Sequence, residues 1–344
     1  MDLMVEKNLD LRSDTVTWPT PEMRKAAAEA KVGDDVYGED PTVNELEKLA
    51  AEILGKKAGL FVSSGTMGNL VGVLSHTQRG DEIILESRSH IYLNEAGNIA
   101  TVGGLMARTV PGEQGWMNPL DIEKAIRSED IHHPVTRLVC IENTHNLAGG
   151  IAITPKQLKA DWDVAKAYGL GVHMDGARLF NAAIALNVNA RDLAKYADTV
   201  QICLSKGLSA PVGSVLVGSE DLVKKARKYR KMVGGGMRQA GIIAAPGIIA
   251  LTKMVERLKD DHENAKILAD GLQGLGIKIN NMVQTNMVYI DFSTIGWKSE
   301  DWNKAMRKLG WKSDSNGTAI RLCTHYGIER EDIENLISGL SKLI

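Results

Sequence analysis

Cysteine is scarce in this sequence, with three in 344 residues. Cys140, Cys203 and Cys323 stand far apart in apolar runs, without disulfide-type or C-x-x-C metal spacing. They read as buried reduced thiols, and the expected compartment is the cytoplasm. Charge of one sign is also missing: 41 basic residues face 43 acidic ones, a net charge of −2. That balance argues against nucleic acid or an anionic membrane as a main partner. No apolar run approaches the roughly 20 residues of a bilayer span, and the start "MDLMVEKNLDLRSDT" lacks the basic and apolar regions of a signal peptide. Walker and GxGxxG patterns are absent, which weighs against ATP or NAD. There is no internal repeat and no low-complexity tract.

What the sequence does contain is alternation. "TVNELEKLAAEILG" has a helical apolar face and a Gly55 stop; "AGLFV", "DEIIL", "RLVCIEN" and "LGVHMD" read as strands, with helical segments between them. "QICLS" and "GSVLVG" read as two further buried strands joined by a Gly/Pro-containing turn. This order predicts an α/β fold with right-handed crossovers and a mixed, mostly parallel sheet covered on both faces. The run from Gln239 to Leu272 predicts one long helix bent at Pro246. Beyond it the pattern becomes that of a smaller α+β unit. The expected division is residues 1–250, an N-terminal arm and large domain, and residues 251–344, a linking helix and small domain.

Ligands in open α/β sheets gather at the carboxyl ends of strands, and four loops there carry chemistry. "FVSSGTMGN" runs from a strand through Ser64, Gly65 and Thr66 into a helix. Small residues and free N–H groups at a helix start suit a phosphate, although a plain turn would look the same. Asp175 ends the strand "LGVHMD" and suits a helix cap, an ion pair with Arg178, or the partner of a protonated ring nitrogen. Lys206 sits on the turn after "QICLS", where a desolvated amine becomes nucleophilic or a long side chain reaches water. His90 follows another strand and on its own fits a structural role as well as a catalytic one. In this order, phosphate loop, histidine, aspartate and lysine make the set needed to hold pyridoxal 5'-phosphate: an anion cradle, a stacking ring, a ring-nitrogen partner and a Schiff-base amine.

The segments "LRSDTVTWPT", "VGDDVYGEDPTVNELE", "SSGTMGN", "ENTHN", "HMDGARLFNAA", "CLSKGLSAPVGSVLVG", "GGGMRQAG" and "IRLCTH" closely resemble the low-specificity L-threonine aldolases over nearly the whole chain. The resemblance implies a pyridoxal-phosphate enzyme of fold type I, a dimer of dimers whose active sites are shared between subunits. It implies cleavage of L-threonine, L-allo-threonine and other β-hydroxy-α-amino acids to glycine and an aldehyde.

Carried onto this chain, Lys206 matches the Schiff-base lysine, Asp175 the pyridinium partner, Arg178 a group near the phenolic oxygen, and Gly65 with Thr66 the phosphate loop. His90 matches the stacking histidine and candidate base, and His132 a second active-site histidine. Ser13 and Arg321 match the substrate-carboxylate site, and Tyr37 and Arg238 match residues lent across the subunit interface. No metal is expected. His133 stands where the family more usually has an aromatic residue, which makes that pocket wall more polar. The rival readings are another pyridoxal-phosphate β-eliminating lyase and, more remotely, a non-catalytic relative, which would be expected to have lost Lys206, Asp175 or Arg321.

Overall fold

The computed structural model describes residues 7–344. Its centre is a seven-stranded sheet, built from β1 (Ala58–Val62), β2 (Glu82–Glu86), β3 (Met106–Val110), β4 (Thr136–Glu142), β5 (Gly171–Asp175), β6 (Thr199–Cys203) and β7 (Ser214–Gly218). Across the sheet the order is β1-β7-β6-β5-β4-β2-β3. Strands β2 to β6 run parallel, while β7 is antiparallel to both β1 and β6. Every residue of β6 and β7 is buried, the polar Thr199, Gln201 and Ser214 among them.

Helices start and stop where side chains satisfy their ends. Asp40 accepts hydrogen bonds from the N–H groups of Thr42 and Val43, Pro41 opens the helix Pro41–Leu54, and Gly55 ends it at φ 67°. The face carrying Val43, Leu46, Ala50 and Leu54 is buried in the main core. Ser64 caps the helix Gly65–His76 by accepting from the N–H of Met67 at 3.2 Å.

A second, three-stranded antiparallel sheet holds β8 (Lys278–Ile279), β9 (Met287–Asp291) and β10 (Ala319–Cys323). It packs on the helices Leu258–Gly274 and Arg330–Leu340 around a separate core that includes Leu268, Ile290, Trp302 and Leu336. The N-terminal arm joins this second core. Leu11 is fully buried there, and its carbonyl accepts from the N–H of Cys323 at 2.8 Å.

The expected long helix bent at Pro246 is instead two helices, Gly241–Lys253 and Leu258–Gly274. Pro246 is buried inside the first, and the chain turns at residues 254–257. The chain leaves the first core just beyond the break: Ala244, Ala250, Met254 and, after the turn, Leu258 belong to the first, Ala265, Leu268 and Leu272 to the second. Facing two cores outweighs the one hydrogen bond that proline removes. Among the described residues no helix is long and apolar enough to cross a membrane.

Candidate functional site

Strands β1, β5 and β6 end at the same edge of the sheet, and their following loops close a cavity of about 180 Å³. Six of the residues singled out from sequence line it: Ser64, Gly65, Thr66, His90, Asp175 and Lys206. The cavity is completed by Asn69, Glu95, Ala177, Gln201, Cys203 and Ser205. Wider depressions, of about 540 Å³ beside Lys56 and 340 Å³ beside His76, are surface grooves that gather none of these groups.

The loop at the helix start is shaped for close approach. A Cβ on Gly65 would stand 2.7 Å from Gln201 Nε2 and 2.8 Å from Cys203 Sγ, so no larger residue fits. Met67 N–H is taken by Ser64 Oγ, and the first helical N–H to bond a backbone carbonyl is that of Gly68, to Ser64. The N–H groups of Gly65 and Thr66 precede it at the positive end of the helix.

Asp175 is 2 % exposed. Its Oδ1 accepts from the N–H of Ala177 at 3.0 Å and its Oδ2 from Asn69 Nδ2 at 2.9 Å. It forms no ion pair with Arg178. That arginine turns the other way and binds buried Asp14 through Nε at 2.7 Å and Nη2 at 2.6 Å. Burial opposes the charge on Asp14, yet Arg178 holds its carboxyl well below the usual carboxylate range.

Lys206 is half-buried, with its backbone carbonyl accepting from Thr17 Oγ1 at 3.0 Å and from the N–H of Ser209 at 2.8 Å. His90 stands at the start of a short helix, His90–Leu93. Its Nδ1 lies 2.9 Å from Glu95 Oε1, and its backbone N–H donates to Glu142 Oε2 at 2.6 Å.

The hydrogen bond to Glu95 raises the pKa of His90, against the opposite effect of burial. A histidine acting as base works in its neutral form, so a raised pKa moves the acidic limb of the rate profile upward. Glu95→Gln keeps an acceptor there but removes its charge, and with it the charge-assisted bond that favours the protonated ring. For the cleavage that the resemblance implies, the expected outcome is an acidic limb of kcat shifted to lower pH, measured as aldehyde release between about pH 5 and 9; an unmoved limb would show that His90 is not the titrating base.

The remaining sequence candidates lie elsewhere on the chain. Ser13 caps the short turn Asp14–Val16, accepting from the N–H of Thr15. Arg321, on β10, donates to Asn146 Oδ1 at 2.6 Å and to the carbonyl of Arg12 at 3.2 Å, which brings it to the N-terminal arm beside Ser13. Tyr37, 75 % exposed, and Arg238, paired with Asp34 at 2.9 Å, share one outer surface and do not line the cavity. His132 is exposed and paired with Asp130, on the loop that enters β4. That is the amino end of a strand whose carboxyl end faces the cavity, so this chain does not bring His132 to its own site.

Five partners escaped sequence reasoning. Glu95 holds His90; Asn69 bridges Glu95 and Asp175; Asp14 holds Arg178. Glu142 holds the backbones of His90 and Asn146, and Asn146 in turn holds Arg321. Each lies close in sequence to a recognised segment: Asp14 in "LRSDTVTWPT", Asn69 in "SSGTMGN", Glu142 and Asn146 in "ENTHN", and Glu95 five residues after His90.

The donor set fits pyridoxal phosphate. A helix-start N–H cradle, an amine and a buried carboxylate line one cavity, the donors and acceptor that such a group would need, and Gln201 Oε1 is buried there without a hydrogen-bond partner among the described residues.

Comparison with known proteins agrees. Residues 10–294 match the beta-eliminating lyase family. A probable low-specificity L-threonine aldolase of Arabidopsis thaliana is 45 % identical, with 98 % of this chain and 97 % of that protein covered. The low specificity L-threonine aldolase of Escherichia coli K12 is 42 % identical, covering 94 % of this chain and 96 % of its own. Among solved structures, Leishmania major threonine aldolase superposes with a TM-score of 0.83 over 97 % of this chain and 99 % of that one, at 22 % identity. The architecture is that of fold type I, as the sequence led one to expect. With motifs, cavity and kinship in agreement, the chain belongs to the beta-eliminating lyase family, among its low-specificity L-threonine aldolases, enzymes that work with pyridoxal 5'-phosphate.

Proposed function

We propose that this protein cleaves L-threonine and L-allo-threonine, and other β-hydroxy-α-amino acids, to glycine and the corresponding aldehyde. The observation that carries the reading is the meeting of Lys206, Asp175, His90 and the Ser64–Thr66 loop in one cavity, in a chain 42 % identical to a named threonine aldolase over nearly its full length. Pyridoxal phosphate, when bound, supplies the electron sink for breaking Cα–Cβ. The N–H groups of Gly65 and Thr66, with Ser64, would hold its phosphate, Asp175 its ring nitrogen and Lys206 its aldehyde carbon. Asp175 keeps a proton on that nitrogen by offering a negative charge beside it. His90 takes the proton of the β-hydroxyl. Its Nδ1 is committed to Glu95, which leaves Nε2 as the basic atom.

Arg321 and Ser13 bind the substrate carboxylate, and a guanidinium suits this because it bonds both oxygens at once. Asn146, fixed by Glu142 and bonded to Nη1, aims that guanidinium. Arg321→Ala is expected to leave cofactor absorbance intact and lower kcat/KM for threonine by on the order of 10², about 3 kcal/mol. Unchanged affinity for the amino acid would make Arg321 a structural partner of Asn146 instead.

The same reading makes the active form an oligomer, a dimer of dimers. It is supported by the exposed Val36–Tyr37 surface beside Arg238, which needs a second copy to reach a cavity, and by the position of His132. Sedimentation of active protein as a monomer would refute it. Residues 1–250 and 251–344 are the proposed domains, supported by the two cores and the break at residues 254–257, and the cytoplasm is the proposed compartment, supported by three free buried cysteines. The test of the reaction is direct: L-threonine with protein and pyridoxal phosphate should release acetaldehyde. Release of ammonia and a keto acid from serine or cysteine instead would make the protein a β-eliminating lyase.

A further inference from the structure

Behind the cavity wall a chain of polar side chains crosses the core. His76 Nε2 lies 2.9 Å from Thr199 Oγ1, which lies 2.9 Å from His173 Nδ1. His173 Nε2 lies 3.1 Å from Asn69 Oδ1, and Asn69 Nδ2 donates to Glu95 Oε1 at 2.7 Å and Asp175 Oδ2 at 2.9 Å. Asn69, Glu95, His173, Asp175 and Thr199 are all nearly or fully buried, so none of these bonds is made good by bulk water. The helix approaches closely enough for this only because residue 72 is glycine: a Cβ there would stand 2.6 Å from His173 Cε1.

Counting donors fixes the direction of every bond. A carboxylate only accepts, so the Asn69 atom that touches two of them is the NH2 group, and both its hydrogens are spent. Its oxygen therefore faces His173, whose Nε2 must carry the proton. Nδ1 of that ring is then bare and takes the hydroxyl hydrogen of Thr199, whose oxygen accepts from His76 Nε2–H. Burial lowers the pKa of His173 to about 3 and that of His76 to about 4, so both rings are neutral, as the scheme requires.

We propose that His76, Thr199, His173 and Asn69 form a one-way hydrogen-bond string whose donors all point at Glu95 and Asp175, with Asn69 the positioning residue that ties the His90 arm to the cofactor-ring arm. Glu95 and Asp175 are close: one atom from each, with one from His90, lie within 4.8 Å of one another. Two buried carboxylates at that range repel, and Asn69 is the neutral group that bridges them without cancelling either charge. Donors aligned head to tail polarise one another, which keeps Asp175 an acceptor for a protonated ring nitrogen and Glu95 an acceptor for His90 Nδ1–H. The titratable groups facing this pair are Lys206, His90, His173 and, from β4, Cys140 and Glu142. The catalytic consequence rests on the reaction proposed above; the direction of the string does not.

Two measurements decide it. In cofactor-free protein, long-range ¹⁵N–¹H spectra of the histidine rings, with His173 assigned by its loss in His173→Gln, should show a neutral Nε2–H tautomer with bare Nδ1. An Nδ1–H tautomer would reverse Asn69, and a charged ring at pH 7 would reverse Thr199; either result would overturn the string whether or not threonine is cleaved. In loaded enzyme, Thr199→Val removes the one hydroxyl in the string without touching the cavity. It should lower kcat on the order of tenfold, the small end for groups that orient a reacting one from behind, and shift the pH midpoint of the cofactor absorbance. Thr199→Ser, which restores the hydroxyl, should stay within about twofold of the parent. Equal behaviour of the two variants would remove the positioning role. Should Thr199→Val fail to fold, the tautomer of the parent protein still decides.

Discussion

Lys206→Ala is expected to lose threonine cleavage by on the order of 10³ or more, at the upper end for the removal of one positioned reacting group. The amine is the group of this cavity that can link covalently to a carbonyl carbon, and it is also placed to carry protons at the reacting centre. The substitution should cost the fold little. The Lys206 turn is held by its backbone carbonyl, through Thr17 Oγ1 and the N–H of Ser209, and alanine keeps both bonds. Stability within about 0.5 kcal/mol of the parent is therefore expected, alongside loss of the visible absorbance of the lysine-linked cofactor. Wild-type turnover in this variant would end the assignment of the site.

Asp175→Asn should be nearly as damaging, for a different reason. Asparagine has the same shape but one acceptor fewer, and both carboxylate oxygens of Asp175 are in use, one on the N–H of Ala177 and one on Asn69 Nδ2. Whichever way the new amide turns, its NH2 group meets another donor in a buried place, an opposition worth about 1–3 kcal/mol. The larger loss is the negative charge beside the ring nitrogen. Together these are expected to lower kcat/KM on the order of 10³, about 4 kcal/mol of transition-state stabilisation. Asp175→Glu, which keeps the charge while displacing it, should fall between the two. If Asp175→Asn stayed within tenfold of the parent, Asp175 would be no more than the cap of the turn that leads to Arg178.

The groups legible in the sequence are those whose place follows from local rules. Ser64, Gly65 and Thr66 sit between an apolar strand and a helix, and a helix start exposes N–H groups whatever surrounds it. Asp175 ends one buried strand and Lys206 follows another, and parallel strands deliver such residues to one edge of the sheet. Periodicity and end signals likewise located the helix stopped by Gly55 and the paired β6 and β7.

What tertiary structure alone decided are the partners. Asn69 reaches Asp175 across 106 residues, and Arg178 reaches Asp14 across 164. No period or spacing links such residues, since they meet only after the sheet has formed. Polar residues in a sequence read as surface by default, so Asn69, Glu95, His173 and Glu142 carried no mark of being buried. The same holds for the long helix: Pro246 is a strong local signal for a bend, yet the turn falls at residues 254–257, just before the apolar face leaves the first core for the second. The sequence by itself determined which residues stand at the carboxyl edge of the sheet, because strand order and chain direction put them there. Which neighbours hold them in place was settled by packing, because a buried polar group is stable only where another element arrives with the matching donor or acceptor.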